Sequence, residues 1–180
     1  MKNIKSLVLS ALFLALGIVL PFLTGQIPEI GSMLLPMHIP VLLCGFVCGW
    51  PYGLVVGFIT PLLRSLLFTM PPMFPKAVSM AFELAGYGCF AGLLFRLLPF
   101  KNTLRIYASL IGAMIAGRII YGLVCIPLLG IAKAPYSFEI FFASTITEAL
   151  PGIILQLILI PAILLALQKA HLIDRNAKAV

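Results

Sequence analysis

Residues 37–75 read "MHIPVLLCGFVCGWPYGLVVGFITPLLRSLLFTMPPMFP", apolar for nearly the whole length, yet opening on His38 and carrying Arg64 deep inside. Length decides how the stretch is read. A helix that crosses hydrocarbon needs about 20 apolar residues, and shorter pieces persist only where protein covers them. Ile39–Cys48 is too short to span comfortably alone, "GWP" is a turn signal, and Tyr52–Thr69 is long enough for a third helix. The prolines of "MPPMFPK" then stiffen a loop, because they cannot sit in a helix interior. A guanidinium costs roughly 2.5–3.5 kcal/mol at mid-helix on insertion scales, so Arg64 has to meet something.

Composition extends that reading to the whole chain. Of 180 residues, 62% are hydrophobic and 9% charged, against about half and a quarter in soluble domains. The excess apolar surface faces lipid, which predicts an all-α polytopic membrane protein organised as one domain over 1–180. The net charge of +7 sits at the ends of apolar runs and forms no basic face. It reports topology rather than a nucleic-acid partner. Cys44, Cys48, Cys89 and Cys125 all fall within apolar segments. Cys44 and Cys48 stand one helical turn apart, like half a metal site, but nothing nearby completes it, so neither a metal nor a disulfide framework is expected. The start "MKNIKSLVLSALFLALGIVLPF" is built like a signal peptide but lacks a small-x-small cleavage site, and reads as a first helix.

Six helices are expected: Lys5–Pro21, Ile39–Cys48, Tyr52–Thr69, Lys76–Leu98, Leu104–Leu129 and Ser137–Gln168. With the N-terminus cytoplasmic, the inner side holds Lys2, Lys5, Arg96, Lys101, Arg105, Lys169, Arg175 and Lys178, and the outer side only Lys76 and Lys133. The positive-inside rule therefore places both termini in the cytoplasm and the loop around Gln26–Met37 outside. Trp50 and Tyr52 read as interfacial anchors.

With the charges flanking the helix ends set aside, four remain within the spans: Arg64, Glu83, Arg118 and Glu148, one on each of helices 3 to 6. At about 1.5 Å per residue all four lie in the outer half of the bilayer. Thr145, Glu148, Gly152 and Gln156 form one stripe of helix 6, in which the glycine admits a close neighbour. Tyr87 stands one turn from Glu83, and Tyr121 one turn from Arg118. Two structural ion pairs are one explanation. A polar pocket open to the outside, lined by aromatics and guanidiniums, is the preferred one, because intramembrane ionisable groups mark function by default. Arg64 is expected to hold Glu83 across the short proline loop, leaving Arg118 for a ligand anion. His38, at the mouth of helix 2, reads as an interfacial or ligand-facing histidine. Met33, Met37, Met70, Met73 and Met80, clustered about the outer loops, read as gap fillers.

Other chemistries are missing their parts. The sequence holds no GxxxxGK[ST] phosphate loop, HExxH or GxSxG motif, and no serine, histidine and aspartate set placed to act on a substrate. An acid–base pair of Glu83 and Glu148 is disfavoured by the arginines, which hold both carboxylates ionised. A proton-coupled secondary carrier also needs a carboxylate that readily takes up a proton, and its usual inverted repeat is not evident.

Along nearly its full length the chain resembles the substrate-binding S-components of energy-coupling factor (ECF) vitamin transporters. "SALFLALGIVLP" is similar to the family's Ala-x-x-x-Ala segment, here Ala11 and Ala15. The stretches "MHIPVLLCGFVCGWPYGLVVGFITPLLRSLL", "MPPMFPKAVSMAFELAGYG" and "GRIIYGL" are similar to its pantothenate-transporter-like and uncharacterised members. The resemblance implies a six-helix subunit of the bacterial cell membrane that works with a membrane coupling protein and two ATPases. It further implies docking through Ala11 and Ala15, a lid in the first outer loop, binding groups from helices 4 to 6, and no cofactor. Two guanidiniums favour a ligand with a carboxylate or phosphate. Pantothenate fits, and haem, with two propionates and His38 or a nearby methionine as a ligand, is the alternative.

Overall fold

The computed structural model describes residues 2–24, 33–100, 102–131 and 149–170. Every regular element among them is helical: α1 (Lys2–Val19), α2 (His38–Cys48), α3 (Trp50–Phe68), α4 (Val78–Leu97), α5 (Asn102–Ile131) and α6 (Leu150–Lys169). All but α2 are long and apolar enough to cross a membrane, which makes five candidate spans. The eleven residues of α2 extend only about 16 Å, half the hydrocarbon thickness. They lie inside the bundle, with Val41, Leu42 and Cys44 fully buried. A helix that is apolar all round belongs in such a place.

The boundaries follow local chemistry. Pro21 has no N–H to continue α1, which tightens into a 3-10 turn over Leu20–Thr24. Between α2 and α3 the chain reverses at Gly49, whose φ of +98° only glycine adopts without strain. The proline loop 70–76 enters α4 through an irregular turn, Met73–Ala77, in which Phe74 is extended. The expected start of the fourth helix at Lys76 therefore shifts to Val78. Residues 137–148 of the expected sixth helix lie outside the described residues.

Close packing around α4 brings the site together. It packs against α2, α3 and α5, while α1 covers α2 and α3, and α6 reaches α2 and α5. A β-carbon on Gly88 of α4 would collide with the Gly53 carbonyl of α3, and one on Gly45 of α2 with the Gly88 carbonyl. Three backbones thus meet without side chains between them, the arrangement by which small residues join membrane helices. Outward, α5 exposes Ile111, Ile115, Ile119, Leu123 and Ile126, a lipid-suited stripe at helical spacing. Its opposite face buries Ile106, Leu110 and Ala113.

Candidate functional site

Glu83, on the second turn of α4, is the centre of the buried polar cluster. Its side chain is 3% exposed and accepts a 2.7 Å hydrogen bond at Oε1 from Nη1 of Arg118 on α5. An ionised partner makes such a bond short and roughly twice as strong as a neutral one. A buried carboxylate stripped of its cation is correspondingly costly, about 3–5 kcal/mol. The approach of α4 to α5 depends on Gly117, beside Arg118, where a β-carbon would stand 3.1 Å from the ring carbons of Tyr87. Tyr87 therefore lies over bare backbone, and the guanidinium next to it reaches Glu83.

His38 joins from the start of α2. Its Nε2 is 3.7 Å from Glu83 Oε1, beyond hydrogen-bonding distance, and its ring meets Tyr87 edge-on at 5.1 Å between centroids. The charges of Glu83 and Arg118 both act on the hydroxyls of Tyr87 and Tyr121. On α6, Gln156 is buried and Gly152 presses against the Met33 carbonyl, where a β-carbon would stand at 2.5 Å. The neighbour that this glycine admits is thus the backbone of Met33 and Leu34, on the approach to α2. Thr145 and Glu148, the other members of that stripe, lie outside the described residues.

The cluster holds more polar atoms than it pairs. Among the described residues, Arg118 Nε and Nη2, Gln156 Nε2 and both ring nitrogens of His38 are shut from solvent without a hydrogen-bond partner. Buried polar groups are rarely left so. Within the ion pair itself, two of the guanidinium's donors are therefore met by no described residue.

Arg64 is elsewhere, and its expected pairing with Glu83 is corrected. Its Nη1 donates to the Ile18 carbonyl at 2.8 Å, and its guanidinium lies over the rings of Phe22 and Phe68, at 5.2 and 5.9 Å. Those rings meet edge-on at 4.9 Å. The reason is the height of Arg64 along α3. Arg64 follows Thr60 by one turn, and the Thr60 methyl fills the space that a β-carbon on Gly17 of α1 would take. Gly53 and Gly57, on the same face but one to three turns nearer the start of α3, carry the contact with α4. Ile18 also needs a donor, because the residue three positions on, which would serve its carbonyl in a 3-10 turn, is Pro21. Neither the carbonyl nor the two rings stand out in the sequence as partners. The proline three residues after an isoleucine at a helix end was the available signal.

Ala11 and Ala15 are both exposed on α1, on the face opposite Ser10, Phe13 and Gly17, which pack inward. Cys44 and Cys48 remain free thiols, and among the described residues no group of histidine, cysteine and carboxylate side chains is placed to hold a metal ion.

A family model described as the ECF transporter, substrate-specific component, matches residues 5–164. No curated protein and no solved structure gives a match.

Proposed function

The chain belongs to the ECF transporter substrate-specific component family, whose members are substrate-binding subunits of membrane importers and not enzymes, and on that premise we propose that it captures a vitamin-sized, anionic micronutrient. Pantothenate is the favoured candidate. The carrying observation is Arg118, held by Glu83 yet left with buried, unpartnered donors. Tyr87, Tyr121, Gln156 and His38 supply the surrounding contacts, and Thr145 and Glu148 extend the same stripe of α6 by sequence. A family assignment that is itself a transport subunit displaces the proton-coupled carrier. The haem alternative drew on two guanidiniums for two propionates. With Arg64 turned onto Ile18, one guanidinium serves the cluster, which supports one carboxylate better.

Six crossings with both termini cytoplasmic, in a bacterial cell membrane, are the proposed topology, supported by the lysine and arginine distribution. The proposed partners are a membrane coupling protein, seated on Ala11 and Ala15, and two ATPases that supply the energy. The test is uptake into liposomes. The chain alone should retain ligand without concentrating it, and should concentrate it only after the coupling protein, ATPases and ATP are added. Robust concentrative uptake by the chain alone refutes the proposal.

A further inference from the structure

We propose that the Nε–Nη2 edge of Arg118 seats a ligand monocarboxylate, and that Glu83 is the positioning residue that aims this edge. The inference rests on the substrate-capture reading above and assigns its chemistry. A guanidinium is planar, and its Nε–H and Nη2–H point the same way, spaced to meet the two oxygens of one carboxylate. Glu83 takes the opposite corner, accepting from Nη1 at 2.7 Å. That contact fixes the plane of the group and leaves the two-donor edge open. Both atoms of that edge are shut from solvent and lack a partner among the described residues.

An ion pair built only to join α4 to α5 gains nothing by burying two more donors unsatisfied, since each such donor is destabilising. A ligand carboxylate satisfies both at once. Glu83 also sets the charge the ligand can bring. It already offsets the guanidinium, and among the described residues His38 is the other side chain near it that can carry a positive charge. One further negative charge shares Arg118 with Glu83. A second, as on a phosphate monoester or dicarboxylate, faces the Glu83 carboxylate with no described cation to balance it. Gln156 on α6 also buries an amide nitrogen without a partner among the described residues. A neutral His38 ring offers one donor and one acceptor, so the body of the ligand carries hydroxyl or amide groups.

The test uses the full chain in nanodiscs, with thermal shift and titration calorimetry against matched acid and alcohol pairs. Pantothenate and pantothenyl alcohol form one pair, biotin and biotinol another. Glutarate, pyridoxal phosphate, neutral riboflavin and cationic thiamine complete the panel. At least one monocarboxylate should bind, and its alcohol should bind roughly 100-fold more weakly, the worth of charge-assisted hydrogen bonds to one group. Arg118→Lys keeps a cation beside Glu83 but removes the fork. It should weaken the acid by a similar factor while leaving the alcohol within about threefold, so that the discrimination disappears. Glu83→Gln, which keeps the shape of the side chain, should move the ratio of affinities toward glutarate or pyridoxal phosphate. A purely structural glutamate does not alter that ratio.

Equal affinity for an acid and its alcohol overturns the inference, as does an Arg118→Lys protein that still prefers the acid. Acid binding that is absent until Glu148→Gln is made places the chain's own carboxylate on the fork, and also overturns it. Tight binding of riboflavin or thiamine, indifferent to Arg118→Lys, removes the fork assignment but leaves substrate capture standing. Silence from the whole panel counts against both.

Discussion

Replacing Arg64 by alanine separates two roles for a buried arginine. The substitution removes a hydrogen bond to the Ile18 carbonyl and two ring contacts, over Phe22 and Phe68. Hydrogen bonds between membrane helices average only about 0.6 kcal/mol, because the unfolded chain finds other partners in the bilayer. Each cation–π contact adds about 0.5–1 kcal/mol. The sum is about 2 kcal/mol, well below the roughly 3–5 kcal/mol of a buried carboxylate stripped of its cation. For a chain of this length that corresponds to a fall in Tm of about 4–8 °C. The assay is thermal unfolding in nanodiscs, followed by Trp50 fluorescence, for Arg64→Ala, Glu83→Ala and the double variant. The two effects should add to within about 0.5 kcal/mol, as they do for groups with no shared partner. Arg118→Ala with Glu83→Ala should instead be strongly non-additive, the double variant recovering much of the loss. Coupling between Arg64 and Glu83 above about 1 kcal/mol refutes the geometry, as does a collapse of ligand affinity on Arg64→Ala alone.

Gly88→Ala should abolish folded yield on size-exclusion chromatography, because its β-carbon meets the Gly53 backbone and helix separation cannot be relieved by rotating a side chain. Gly130→Ala, with nothing within 4 Å of the added carbon, should purify like the parent and serves as its control. Ala15→Trp should prevent co-purification with the coupling protein while ligand titration stays within about threefold, since it adds bulk to an exposed face away from Glu83; unimpaired assembly refutes the docking face. Gly152→Val should push Met33 and Leu34 away from α6 and raise amide exchange across residues 33–38, and unchanged exchange there refutes the contact.

The sequence was most legible where the high cost of polar groups in hydrocarbon leaves few alternatives. That cost marked the spans, set α2 apart as too short to span without protein around it, and drew attention to Arg64, Glu83 and Arg118. It carries no information about which way a long side chain turns. Arg64 and Glu83 looked like partners because a short proline loop joins their helices, yet proximity along the chain did not decide the pairing. Position along α3 decided it: Thr60 and Arg64 meet Gly17 and Ile18, while Gly53 and Gly57, earlier on the same face, meet α4. Recognising this from sequence requires knowing that α1 lies against α3, a tertiary fact without a local signature. The pairing of Glu83 with Arg118 is hidden in the same way, since it needs Gly117 to be the flat surface under Tyr87. A glycine beside a buried arginine is thus a stronger signal of where its guanidinium goes than the nearest acidic residue in sequence. In this chain the glycines choose which helices touch, and the charges then pair with what lies within reach.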